Sequence, residues 1–191
     1  ITERLVGSEM CIRDRYDARS RDLGLERSDK TVLRLATPLE GETVVNDLIR
    51  GEIIFNNSEL DDLILLRSDG TPTYHFCNVV DDFDQGVTTV IRGEDHISNT
   101  PRQIHIQRAL GYPDLEYAHL PLVLGEDKKR LSKRHAATSL SAYKEMGFTK
   151  ETIINALALL GWSTKNEIFS IDELIESFKL ENVQKLSLIH I

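Results

Sequence analysis

The chain has 191 residues, 40% of them hydrophobic and 28% charged, and carries a formal net charge of −8. That balance is ordinary for a globular protein, and no apolar run approaches the ~20 residues a membrane-spanning helix needs. Such an acidic chain repels phosphate at long range, so any nucleic acid it meets has to be held by local basic patches.

Two cysteines, Cys11 and Cys77, form neither a disulfide framework nor a metal-ligand spacing, which fits a reducing cytoplasm. From Lys30 to Arg67 short β-branched runs alternate with turn residues. Thr31–Leu35, Thr43–Val45, Glu52–Phe55 and Leu63–Leu66 are predicted strands, separated by Pro38 and Gly41, Arg50-Gly51 and Asn56-Asn57-Ser58. Asp69-Gly70-Thr71-Pro72 is a turn, after which Thr73–Val80 is expected to be extended, with Asp81-Asp82 opening a loop.

Val87–Ile91, a β-branched run of the type a buried parallel strand shows, is a strand candidate, and Arg92 follows at its carboxyl end. Ligands of open α/β sheets sit beyond the carboxyl ends of strands, so Arg92, Glu94 and Asp95 stand where a site is expected. The next helix is marked by Thr100 as N-cap, Pro101 at the first helical position and Gly111 beyond its end. Tyr117–Leu124 is a further strand candidate, part of which Pro121 marks as an edge or as irregular.

Then comes the most basic stretch of the chain: Lys128, Lys129, Arg130, Lys133 and Arg134 against Glu126 and Asp127. On the residues alone it is either a solvated turn or a grip for phosphate. Beyond it the pattern turns helical. One helix is predicted from Ser139 to Gly147, and a second is capped by Thr149 with Ile153, Ile154, Leu157 and Leu160 on one face. A third has a capping box of Ser170 and Glu173 and a staple of Phe169 with Leu174. Trp162 reads as a core aromatic, and His75, His96, His105 and His119 as scattered polar or packing residues without metal spacing.

Three strings in order resemble the glutamyl-tRNA synthetases of the class I aminoacyl-tRNA synthetase family. Leu131-Ser132-Lys133-Arg134-His135 is similar to that family's KMSKS signature. Val90 to Gln103 resembles its long upstream motif, and Ser58 to Tyr74 a third string. The resemblance runs from about Tyr16 to Lys185 and implies an α/β fold. It comprises the second half of a Rossmann-type catalytic domain (73–135), a connective-peptide α+β insertion that grips the tRNA acceptor end (16–72), and a C-terminal helical stem-contact module (136–185).

The resemblance also implies roles. Tyr74, Asn78 and Arg92 would bind glutamate, with Arg92 on its side-chain carboxylate. Asp95 and the backbone of Val123 would contact ATP, while Arg130, Leu131, Ser132, Lys133 and Arg134 would cover the phosphates, Lys133 acting catalytically by stabilising the developing charge. Without the family, Tyr74 and Asn78 read as packed strand residues and Arg92 as a surface ion pair. Arg50 is a candidate contact to RNA. The partners implied are tRNA(Glu), L-glutamate and ATP with Mg2+, in the cytoplasm and away from membranes. No residue is assigned to a metal. Ser20 stands where some family members place a zinc-binding cysteine, so zinc is not expected.

Arg130 and Ala136 depart from the lysine and glycine usual in the signature, which puts in question the stiffness of that loop more than its charge. Residues 1–15 and 186–191 resemble translated sequencing adapter and are expected to be non-native, the natural protein continuing in both directions. The family's second signature, HIGH, has no counterpart in the 191 residues, so the polypeptide alone is expected to be inactive. The alternative is a stand-alone tRNA-binding or regulatory module derived from a synthetase.

Overall fold

Alternate residues of β2 (Glu42–Asp47) turn inward: Thr43, Val45 and Asp47 are buried while Glu42, Val44 and Asn46 are exposed. This is the period-two signature of a strand with one face on a core. The structure is a computed structural model and describes residues 16, 18, 21, 28, 31–124, 140–162, 168–184 and 188–189. The chain divides into two units, Ile1–Val45, Ile54–Thr88 and Ser98–Leu115 in the first, and Asn46–Ile53, Thr89–Ile97 and Glu116–Ile191 in the second. Strand β2 and its neighbour β3 (Gly51–Asn56) each carry residues of both units. The turn between them returns through Gly51, whose φ of 82° lies in the left-handed region that glycine adopts without a Cβ clash.

In the first unit β1 (Leu33–Arg34) pairs antiparallel with β4 (Ile64–Leu66). Asp62 ties this region together. Its carboxylate accepts hydrogen bonds from the Arg21 guanidinium and from the Thr37 N–H at 3.0 Å, and its backbone carbonyl accepts one from Arg34 at 2.7 Å.

The expected strand at Thr73–Val80 is instead the helix α1 (Tyr74–Asp84). Thr73, in extended conformation, precedes it, and the Cys77 N–H donates to the Thr73 carbonyl at 3.0 Å to close the first turn. Phe76, Val79, Val80 and Phe83 recur at helical spacing and Val79 is buried, so packing overrides the β propensity of these residues. The expected loop start Asp81-Asp82 therefore lies inside α1. Helix α2 (Thr100–Leu110) packs against α1. Its N-cap is Asn99 rather than Thr100, because a 3-10 turn over Glu94–Asn99 runs directly into the helix and Asn99 already has helical angles. Pro101 stands in its first turn and Gly111 ends it at φ 71°.

The second unit contains β5 (Thr89–Gly93) and β6 (Glu116–Leu120), parallel and in register from Thr89↔Glu116 to Gly93↔Leu120. β6 also pairs in parallel with β2 through Asp47↔Tyr117, and the sheet order is β3-β2-β6-β5. Parallel neighbours require a crossover, and residues 94–115 supply it between β5 and β6. The ladder of β6 stops at Pro121, and β7 (Val123–Leu124) pairs instead with β8 (Leu188–Ile189). One core of this unit is Ile49, Ala118 and Val183 with Leu48, Leu120 and Leu180 around them.

The helical part comprises α3 (Leu140–Glu145), α4 (Lys150–Gly161) and α5 (Ile171–Ser177). Thr149 caps α4 by accepting the Thr152 N–H, and the Ser170–Glu173 capping box of α5 is complete. Trp162, Phe169 and Leu174 form a second buried cluster, joined by Ala158. The apolar face expected on α4 is only partly inward. Ile153 and Leu160 are half-buried, whereas Ile154 and Leu157 are exposed.

Candidate functional site

Arg92 stands at the carboxyl end of β5 directly opposite His119 of β6, so the sheet register fixes which side chains meet there. Its Nε donates to His119 Nε2 at 3.1 Å and its Nη2 to the His96 carbonyl at 3.3 Å. The Tyr117 ring lies 5.6 Å from the guanidinium carbon, within reach of a cation–π contact.

Behind His119 is Asp47. The two side chains are fully buried and joined by an Nδ1···Oδ2 contact of 2.6 Å. Burial works against the Asp47 carboxylate. The backbone N–H of Arg50, the His119 ring and the N–H groups of Ile49 and His119 outweigh it and hold the carboxyl below its ordinary value. Burial likewise lowers the His119 pKa, helped by the charges of Arg92 and Arg50 and opposed by Asp47. With Asp47 ionised, Nδ1 carries the proton and Nε2 presents its lone pair to Arg92.

Glu94 is a second anchor. One carboxylate oxygen pairs with Arg50 and the other accepts the Leu122 N–H at 3.0 Å. Arg50, expected as a contact to RNA, is half-buried and pairs with Glu94. Leu122 immediately precedes Val123, so the carboxylate fixes the backbone just before β7. Asp95 lies beside His96, 3.8 Å from its Nε2. A Cβ on Gly93 would come within 2.5 Å of Asp95 Oδ1, so the glycine lets that carboxylate lie over the strand end.

Tyr74 and Asn78 belong to the first unit, where they share one side of the start of α1. Tyr74 is exposed, and Asn78 Oδ1 accepts a 2.5 Å hydrogen bond from the buried Gln103 on α2. Arg92, Asp95 and Val123 belong to the second unit. Arg130, Leu131, Ser132, Lys133 and Arg134 lie outside the described residues. Sequence reasoning missed Asp47 and gave His119 no role. The signal for Asp47 was its phase in β2, shared with Thr43 and Val45. Among the described residues, no group of three or more His, Cys, Asp or Glu side chains could hold a metal, and no helix is long and apolar enough to cross a membrane.

Against known proteins, residues 3–190 match the family of class I tRNA synthetases (E and Q), catalytic domain. The chain belongs to that family. It is 55% identical over 172 residues to a glutamate--tRNA ligase of Thermodesulfovibrio yellowstonii, covering 90% of this chain and 37% of that one. With a glutamate--tRNA ligase of Geobacter sulfurreducens the identity is 56% over 173 residues, with the same coverage. The crystal structure of a glutamate tRNA ligase from Elizabethkingia meningosepticum in complex with its amino acid matches 96% of this chain and 46% of its own, at 31% identity and a TM-score of 0.77. The mixed α/β fold with parallel strands is therefore that of a class I synthetase catalytic domain. The chain spans a little over a third of the length of these two curated relatives.

Proposed function

We propose that this chain supplies glutamate-recognising and ATP-facing surfaces of a glutamate--tRNA ligase. Arg92 receives the side-chain carboxylate of L-glutamate, for which a planar guanidinium offers two parallel donors that a lysine lacks. Tyr74 and Asn78 orient the amino acid by hydrogen bonds from a phenol and an amide. Asp95 and the Val123 backbone face ATP, and the cations of residues 130–134, Lys133 foremost, stabilise charge on the phosphates as the α-carboxylate attacks the α-phosphorus, the α–β phosphoanhydride bond breaks and pyrophosphate leaves, giving glutamyl-adenylate. The ribose hydroxyl at the tRNA(Glu) terminus then attacks the acyl carbon of the adenylate, loses its proton and takes the glutamyl group as an ester, with AMP leaving. Both steps run on positioning and electrostatics, without a covalent nucleophile.

Magnesium would accompany ATP through the phosphate oxygens, and it has no ligand set of its own among the described residues. The domain roles follow the same reading: an acceptor-end insertion over 16–72, the catalytic half-domain over 73–135 and a stem-contact module over 136–185, acting in the cytoplasm.

The observation that carries this reading is Arg92 at the carboxyl end of β5, held by His119 and the His96 carbonyl in a family of glutamate and glutamine synthetases. The test is a chimera in which residues 31–184 replace the matching stretch of the Geobacter sulfurreducens ligase, assayed by glutamate-dependent ATP–pyrophosphate exchange. Exchange should persist, and Arg92→Ala should raise the KM for glutamate by about 100-fold, the scale of a lost bidentate charge-assisted contact. A folded chimera without exchange, or one indifferent to Arg92, overturns the reading.

A further inference from the structure

The buried Asp47–His119 pair has no part in the roles above, yet taking an ionised carboxylate and its partner out of water carries a desolvation cost that their attraction must offset. Every neighbour of the Asp47 carboxylate given above is a donor: the N–H groups of Ile49 at 3.0 Å, Arg50 at 2.8 Å and His119 at 3.1 Å, and the ring Nδ1 at 2.6 Å. The ring proton therefore sits on Nδ1, and Nε2 accepts the Arg92 Nε–H.

We infer that Asp47 and His119 are positioning residues for Arg92, the carboxylate fixing the ring's tautomer and the ring holding one edge of the guanidinium so that its plane is set for a carboxylate ligand. This rests on the reading that Arg92 receives the side chain of glutamate. The imidazole also works as a spacer. It puts a neutral acceptor against Arg92 and keeps the charge of Asp47 one ring further away. A carboxylate in the ring's place could hold the same edge but would set a full negative charge directly against the guanidinium. Groups facing His119 among the described residues include Asp47 from β2, Arg50 from the turn after it, Arg92 from β5 and the Tyr117 ring on its own strand. A protonated ring would set N–H against N–H at Arg92.

Two measurements test the inference. In the intact 191-residue chain at pH 7, nitrogen-15 NMR of the histidine rings should show His119 neutral with its proton on Nδ1. A proton on Nε2 overturns the proposal. In the exchange-active chimera, His119→Leu should raise the KM for glutamate about tenfold, the loss of one charge-assisted hydrogen bond, and leave the KM for ATP unchanged. His119→Gln, whose amide oxygen can replace Nε2 as acceptor, should recover most of that loss.

Equal losses in both variants, with the KM for ATP moving too, would make His119 a packing residue and overturn the inference alone. If Arg92→Ala leaves the KM for glutamate unchanged, the functional reading falls first and takes the assigned role with it. The tautomer is read on the unaltered chain, so a variant that fails to fold still leaves a decisive result.

Discussion

Arg92 Nε lies 3.1 Å from His119 Nε2, and the two residues stand opposite one another in the parallel register of β5 and β6. The contact needs a neutral ring, so its persistence depends on pH. His119 titrates below its ordinary value of 6.5 through burial and the charges of Arg92 and Arg50, and His105 does so through burial and the charge of Arg108.

For both histidines the unfolded chain binds more protons than the folded one in the window below 6.5. Their contribution is complete above that pH and is lost as pH falls through the folded values. Urea midpoints at pH 8, 7, 6 and 5 should be level at the first two and decline at the last two. A midpoint that rises on acidification from 7 to 5 would contradict the assignment.

Asp62→Asn should destabilise the first unit. The Asp62 carboxyl is held below its ordinary value mainly by the Arg21 guanidinium, against the opposing effect of burial and with help from the Thr37 N–H. Neutralising it weakens a charge-assisted fork to a side chain that is itself partly exposed, a loss of about 2 kcal/mol. A denaturation midpoint within error of the parent would show that the fork adds nothing.

Thr43→Val keeps the shape and removes a buried hydroxyl. Thr43 Oγ1 donates to Asn57 Oδ1 at 2.6 Å and lies 2.9 Å from His105 Nε2, which is then the donor of that second bond. Leaving both partners unsatisfied should cost roughly 1–3 kcal/mol. The accompanying sign is a change in the His105 ring signals, while those of His119 in the other unit stay put.

Ser170→Ala removes the cap of α5, whose side chain accepts the Glu173 N–H while Glu173 returns to the Ser170 N–H. The expected loss is about 1 kcal/mol. Trp162, buried beside Phe169 and Leu174, gives the readout: its fluorescence should report earlier unfolding of this cluster.

What the sequence made legible was local. β-branched runs bounded by glycine and asparagine marked β2 and β3, Pro101 and Gly111 bracketed α2, and the Ser170–Glu173 spacing announced a box that the structure completes. Tyr74–Val80 misled because aromatic and β-branched side chains favour strands in isolation, whereas here they build the face of α1 that buries Val79. Arg92 was legible from its place after an apolar strand. Its supports were not, since Asp47 and His119 are 72 positions apart and meet only when β2 and β6 pair. The cationic signature stood out by charge alone, but its residues 125–139 lie outside the described structure.

The alternation along β2 has one more consequence. Asp47 faces inward because it shares the parity of Thr43 and Val45. Sliding that strand by a single residue would turn all three to solvent and bring Asn46 into the place of the carboxylate. The histidine would then lose the anchor for its proton, and the arginine the acceptor that aims it. If Arg92 receives the side chain of glutamate as proposed, the register of β2 is thus a condition for that recognition as well as for the fold.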